Sequence, residues 1–436
     1  MFRAVRPEPA AVAHVRMNLQ HHSEGSDADA EALRPVSRGF IGLYTVAEIG
    51  AYVSFVPLLQ ILVPLQAASI DPPHAAALLS RVALCGAIVA SLANILFGAL
   101  SDRTSAARGR RRPWLLAGLA ATLASYAVIW DAGTATGLLL SVICFQIAFN
   151  ALFAPLGAVL ADYVPDRQKG VVSALLGLGY PLGSLIGTAA VGAWLVDGTT
   201  RFLLLGVLVA GSIAPFAWRL GDPAIPARPL PAEWHRTWWV DPRAYPDFAR
   251  AWVGRLLVAT AFSVMQGYML LYLHSLTAVP SMIPGRPEAA LARLAAIATV
   301  ANIGAGLLGG WLSDRMRRRK PFVFAGGAGM AAGIVCTALA PDWAALQLAT
   351  LIYGIGAGIY YAVDLALIVQ VLPSLQSAGK DLGIVNLSNT LPQIIAPLVA
   401  LHLVGGIAPD YRTLFLLAAG AALLGAACVL RIKGAR

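Results

Sequence analysis

The sequence predicts an all-α membrane protein with twelve transmembrane helices arranged as two six-helix repeats. Three observations predict it. The 436 residues are 58% apolar and 12% charged, with a mean hydropathy of +0.70, far from the balance of soluble globular chains. Past Arg38 the chain divides into apolar runs of about 16 to 28 residues, near or above the ~20 that cross a ~30 Å hydrocarbon core as a helix. Two short basic stretches also echo each other: GALSDRTSAARGRRRPW from Gly98 to Trp114, and GGWLSDRMRRRKPF from Gly309 to Phe322.

Each stretch leaves an apolar run through Ser-Asp-Arg, carries several arginines and re-enters apolar sequence through Pro and an aromatic. Asp102 and Asp314 lie 212 positions apart, Pro113 and Pro321 208, Pro165 and Pro373 208, and Pro181 and Pro392 211. A duplicated six-helix unit accounts for all four spacings. In transporters, parallel halves of this kind are related by an axis along the membrane normal, with the substrate path between them.

Residues 1–39 mix Pro, Glu, Asp, Arg and Ser without periodicity, lack the apolar core of a signal peptide, and read as a disordered cytoplasmic arm. Met17 offers an alternative start, and the His21–His22 pair reads as solvated chain. The first bundle, 40–219, contains apolar runs at Phe40–Leu65, Val82–Leu100, Trp114–Trp130, Gly137–Ala161, Val171–Val196 and Phe202–Ala217. A polar, Pro-rich cytoplasmic linker follows at 220–251, where Trp234, Trp238 and Trp239 suit the lipid interface. The second bundle, 252–432, contains runs at Val253–His274, Leu294–Leu312, Phe322–Ala340, Ala344–Val371, Leu382–Leu403 and Leu414–Leu430, and a short cytoplasmic tail, 433–436, closes the chain.

Charge sorting supports the count. With connections assigned alternately to two sides, twenty-six of the 32 lysines and arginines fall on one side and five on the other; Arg255 lies near the start of the seventh run. Basic loops resist translocation, so the bias places both termini in the cytoplasm of a multi-pass plasma-membrane protein. The net charge of +10 therefore reads as topology and not as a nucleic-acid surface. Cys85, Cys144, Cys336 and Cys428 each fall inside an apolar run, without CxxC or histidine at ligand spacing, so no metal or cofactor is expected. HExxH, a GxSxG elbow and paired catalytic acids are missing, which argues against an intramembrane enzyme.

The GxLSDR plus GRRRPW stretch, its echo and the twelve runs resemble the major facilitator superfamily over nearly the whole chain after residue 39. Within it, GRRRPW (Gly109 to Trp114) and ADYVPDRQKG (Ala161 to Gly170) resemble the glycoside–pentoside–hexuronide cation symporters and the sucrose-type transporters. The resemblance implies a cytoplasmic gating latch built from Asp102, Arg103, Arg110, Arg111 and Asp162, with Asp314 and Arg315 as its second-half echo. The physics agrees for Asp162, an acid at the cytoplasmic end of the fourth run and within reach of a basic loop.

Ionisable groups in mid-helix are functional candidates, because a charge in hydrocarbon must be paired, neutralised or face water. Glu48 lies in the first run with Tyr44 and Tyr52 at i−4 and i+4, on one face; Asp364 lies in the tenth with Tyr360 and Tyr361 before it. Glu48 and Asp364 are the candidate proton-coupling residues. The tyrosines, with Gln146 and Asn150 in the fourth run and Asn386, Asn389 and Gln393 in the eleventh, are candidate contacts for a sugar or glycoside. Each also has a plain structural reading as a polar clamp between helices. The acidic residues that the glycoside symporters carry in helix 2 and mid-helix 4 are replaced here by Ser91, Asn94 and amides, which argues against sodium coupling. The expected function is proton-coupled sugar or glycoside symport by a monomer in the lipid bilayer. The alternative is a drug or metabolite efflux antiporter, whose helix-5 signature is partly matched by GLGYPLGSLIG (Gly177 to Gly187).

Overall fold

The structure, a computed structural model, describes residues 35–104, 109–194, 197–221, 242–277, 283–371, 385, 387–406 and 408–433. Most of the expected N-terminal arm, the centre of the linker with Trp234, Trp238 and Trp239, Pro373, Asn386 and residues 434–436 lie outside the described residues. Among the described residues twelve helices are long and apolar enough to cross a membrane, and no strand occurs.

In the first half these are α1 (Arg38–Ile70), α2 (Ala75–Arg103), α3 (Arg112–Trp130) and α4 (Ala135–Tyr163). Helix α5 follows in three segments, Asp166–Leu176, Gly179–Thr188 and Ala189–Trp194, and α6 spans Gly198–Arg219. The second half comprises α7 (Pro246–Ser275), α8 (Pro287–Met316), α9 (Lys320–Leu339), α10 (Trp343–Gln370), α11 (Leu387–Val404) and α12 (Tyr411–Leu430). Several helices begin before their apolar runs. Helix α7 starts at Pro246, inside the expected linker, and Asp102 and Asp314 stand in the last turns of α2 and α8 rather than in loops. The connection from α8 to α9 shrinks to Arg317–Arg319, because helical backbone bonds continue through the charged turn once a membrane interface can solvate it.

Local chemistry fixes the helix ends and repeats between halves. Thr134 caps α4 by accepting from the Gly137 N–H at 3.1 Å, and Asp342, 208 positions on, caps α10 by accepting from Ala345 at 2.8 Å. Asp197 caps α6 and Asp410 caps α12 through Thr200 and Thr413; those bonds hold both carboxyls below the usual range. Pro113 and Pro321 sit in the first turns of α3 and α9, where a missing N–H costs nothing.

Packing repeats in the same way. A Cβ built on Gly118 of α3 would lie 2.6 Å from the Leu152 backbone nitrogen of α4, and one on Gly326 of α9 would lie 2.6 Å from that of Tyr360 of α10. Both glycines allow backbone-to-backbone contact, the usual means of helix association where lipid is as apolar as the side chains. Helices α1, α4, α7 and α10 bury 56–67% of their apolar windows against 22–33% for α2, α5, α8 and α11. The former therefore form the interior and the latter flank the junction of the halves.

The two halves meet at the end opposite the basic loops. Helix α5 shows this within one element: its first segment packs against α1 and α4 of its own half, while Ala189–Trp194 packs against α8. A Cβ on Gly192 would lie 2.8 Å from the Glu288 carbonyl oxygen. Leu58–Leu62 of α1 packs on α7, and α2 packs on α11. Among the described residues these junctions lie away from the end that carries the basic loops, the basic end.

Candidate functional site

Between the halves lies a cavity of about 610 Å³. Its first-half wall includes Tyr52, Gln60, Gln146 and Tyr180; its second-half wall includes Gln266, Asn302, Tyr361, Asn389 and Gln393. Gln60 reaches it from a π-helical turn, Leu58–Leu62, that follows Pro57 in α1. Such turns commonly mark functional positions, since the extra residue re-aims the side chains that follow. Between these polar groups the walls are apolar and aromatic, with Phe55, Val56, Val82, Phe262 and Met265 among them.

Two hydrogen bonds join the halves around this space. The Tyr180 hydroxyl accepts from Gln266 Nε2, and the Ser80 and Tyr268 hydroxyls lie 2.8 Å apart. Tyr180 stands edge-on to Tyr52 at 5.6 Å and tilts over Phe262 at 5.7 Å, so an aromatic row spans the junction.

Among the described residues, the solute contacts expected from the sequence divide into two groups. Tyr52, Gln146, Tyr361, Asn389 and Gln393 line the cavity. Tyr44, Asn150 and Tyr360 do not. Tyr44 is fully buried, donates to the Leu156 carbonyl at 2.9 Å and stacks on Phe216 at 5.1 Å, which ties α1 to α4 and α6. Asn150 accepts from Asn94 Nδ2 at 3.0 Å and donates to the Gln146 carbonyl at 2.8 Å, a tie between α2 and α4. Tyr360 is fully buried beside Tyr361.

The two intramembrane acids occupy different settings. Glu48 is buried against α5, where a Cβ on Gly179 would lie 3.0 Å from its Cγ, and its Oε2 has no hydrogen-bond partner. Asp364 is buried and ion-paired with Arg255 Nη1. The same guanidinium donates through Nε and Nη2 to Asn389 Oδ1, at 3.3 and 3.1 Å. Arg255, which the sequence places near the start of the seventh run, stands nine residues inside α7, because the helix begins at Pro246. Gln60, Tyr180 and Gln266 carry the same signal, a polar group in mid-helix.

Of the residues expected to form a latch, Arg110 and Arg111 meet at Asp162. Arg110 Nη2 lies 2.6 Å and Arg111 Nε 2.8 Å from Asp162 Oδ2, and Arg111 Nη2 lies 2.5 Å from Asp102. Arg111 Nη1 also donates to Ser101. Burial opposes the Arg111 cation, but its bonds to Asp162 and Asp102 more than offset this and raise its guanidinium above the ordinary arginine range. Arg103 is exposed. In the second half the pattern is looser: Arg319 lies 3.6 Å from Asp314 and donates to the Ala366 carbonyl at 2.5 Å, while Arg315 lies over Trp311. No group of three potential metal ligands occurs among the described residues.

The sequence matches the family model described as Major Facilitator Superfamily over residues 41–284 and 275–435. Among curated proteins none matches. Solved structures share the fold. The nucleoside transporter NupG aligns with a TM-score of 0.69 at 13% identity, covering 90% of this chain and 98% of its own. The peptide transporter POT in complex with sulfate gives 0.71 at 15% identity, covering 92% and 96%. A bacterial homologue of the human lysosomal transporter Spinster, inward-facing and unoccupied, gives 0.59 at 16%, covering 90% and 93%.

Proposed function

The chain belongs to the Major Facilitator Superfamily, and we propose that it is a secondary active transporter that carries a sugar or glycoside together with a proton by alternating access. The observation that supports this most is the cavity between the halves. Its amides and tyrosine hydroxyls offer donors and acceptors to a polyol, while Tyr52, Phe55, Tyr180 and Phe262 offer ring faces to the apolar face of a pyranose or an aglycone. The Arg255 charge beside it is already balanced by Asp364, which suits a neutral solute. Glu48, buried and with an unpartnered oxygen, suits a carboxyl that takes up and releases a proton.

We read the basic loops as marking the cytoplasmic side of the plasma membrane, so that the basic end and both termini face the cytoplasm. The described arrangement is then the cytoplasm-facing state. Efflux of an amphipathic drug or metabolite is the second reading, and the largely apolar walls around Val56, Val82 and Met265 favour it. Uptake of labelled saccharides and glycosides into proteoliposomes, with and without a proton gradient of either sign, separates the two. Symport predicts accumulation on the alkaline side. Accumulation of an amphipathic solute on the acidic side, with no saccharide moved, supports efflux instead.

A further inference from the structure

A buried polar atom without a hydrogen-bond partner destabilises the fold, so a chain keeps one where something else is gained. Among the described residues, such atoms occur in two of the side chains that line the cavity: Gln146 Oε1 and the Tyr353 hydroxyl. Both residues are more than nine-tenths buried, at 3% and 6% exposure. Neighbouring polar groups of the wall are already engaged. The Tyr180 hydroxyl has Gln266 and Gln60, Asn389 Oδ1 has Arg255, and the Thr350 hydroxyl donates to the Leu346 carbonyl at 2.9 Å.

The two residues stand on opposite halves at the same depth. Gln146 lies eleven positions after Ala135, the first residue of α4, and Tyr353 ten after Trp343, the first of α10. At a rise of about 1.5 Å per residue, each is roughly 15 Å from its helix start at the end opposite the basic loops. The caps Thr134 and Asp342 occupy equivalent positions, so the repeat sets both residues at one level. Tyr180 and Tyr361 act on the Tyr353 hydroxyl electrostatically. Tyr361 stands edge-on to Phe262 at 5.6 Å, so the aromatic row that starts at Tyr52 reaches the neighbourhood of Tyr353.

We propose that Gln146 and Tyr353 are the two polar poles of the solute site and select a neutral, hydroxylated solute: one solute hydroxyl donates to Gln146 Oε1, and a second accepts from the Tyr353 O–H. This rests on the reading of the cavity as a site for a sugar or glycoside. An amide oxygen only accepts, whereas a phenol can donate, so the poles differ in kind and set the solute's direction across the junction. Each pole belongs to one half, and a solute that satisfies both bridges the halves. An apolar solute of the same size leaves both atoms buried and unpaired. Sites built to bond a hydroxyl reject the analogue that lacks it far more strongly than apolar pockets reject by size.

Melting temperature and binding together separate these poles from structural roles. In the solute-free protein in detergent, Tyr353→Phe and Gln146→Met remove polar atoms that bond nothing, so each should leave the melting temperature unchanged or raise it by about a degree. Tyr272→Phe, which removes a bond to the Thr337 carbonyl at 3.0 Å outside the cavity, should lower it and bind solute as wild type does. Binding is read by isothermal titration with phenyl glucoside, its monodeoxy analogues and the nucleoside uridine. Tyr353→Phe should weaken phenyl glucoside by roughly tenfold or more. One monodeoxy analogue should bind wild type and Tyr353→Phe alike, because the bond is already missing from the solute's side. Gln146→Met should repeat the pattern with a different analogue; if it does not fold, Tyr353→Phe decides alone. A lowered melting temperature for Tyr353→Phe with unchanged affinity overturns the proposal, as does equal weakening of every analogue. Phenyl glucoside bound equally by wild type and both variants keeps the sugar reading and removes the poles. Uridine binding that Tyr353→Phe abolishes, with no saccharide bound, upholds the poles and overturns the sugar reading. A wild-type protein that binds neither overturns both.

Discussion

The hydroxyls of Ser80 and Tyr268 lie 2.8 Å apart and join α2 to α7 across the closed end of the molecule, 188 residues apart in sequence. Ser80 also donates to the Ala76 carbonyl at 2.7 Å, so it keeps a partner when Tyr268 is changed. Tyr268→Phe should therefore remove one bond between the halves, worth about 0.5–1.5 kcal/mol, and raise the population open at this end by roughly two- to tenfold. Labelling of Thr299→Cys by an impermeant reagent added from that side reads it, since Thr299 lines the cavity. An unchanged rate would remove this bond from the gate.

The basic cluster should respond unequally to loss of its two acids. The Asp162 side chain is 4% exposed and meets two arginines, whereas that of Asp102 is 49% exposed. Asp162→Asn takes the only carboxylate described beside the buried Arg110, while Arg111 keeps Asp102, and should destabilise by ~3–5 kcal/mol. Asp102→Asn should cost within ~1 kcal/mol. Thermal unfolding in detergent compares them, and equal losses would contradict the geometry.

Gly109 and Arg317 occupy equivalent positions, 208 apart, before the first turns of α3 and α9, with φ of 97° and 51°. A side chain in this left-handed region is strained, by about 1 kcal/mol or somewhat more. Arg317→Gly should raise the melting temperature by a few degrees and Gly109→Ala should lower it. Opposite signs would show that backbone strain does not govern these turns.

Close helix approach makes a similar paired prediction. Ala at Gly326 or Gly118 would drive a methyl into the backbone of Tyr360 or Leu152, so each should lower the melting temperature clearly. At Gly304 nothing lies within 4 Å of a built Cβ, and Ala there should be tolerated. Equal effects at all three sites would sink the packing account.

The helices and their repeat were legible because the bilayer demands long apolar runs and the Ser-Asp-Arg stretches mark their ends. Which side of each helix faces the cavity was not. Tyr44 and Tyr52 share a face of α1, yet Phe216 and Leu156 claim the first while the second reaches the cavity. The π-turn at Leu58–Leu62 re-aims Gln60 in a way that a regular 3.6-residue period does not forecast. Arg255 and Asp364 are 109 residues apart, and only the packing of α7 against α10 and α11 brings them together.

Gradient-driven accumulation tests the central claim most directly. Proteoliposomes carrying the wild-type protein and a proton gradient should accumulate a labelled glycoside above its equilibrium level. Those carrying Glu48→Gln, which keeps the side-chain shape but cannot release a proton, should exchange the same solute without accumulating it. Accumulation that survives Glu48→Gln, or a wild-type protein that moves no saccharide under a gradient of either sign, would contradict the account.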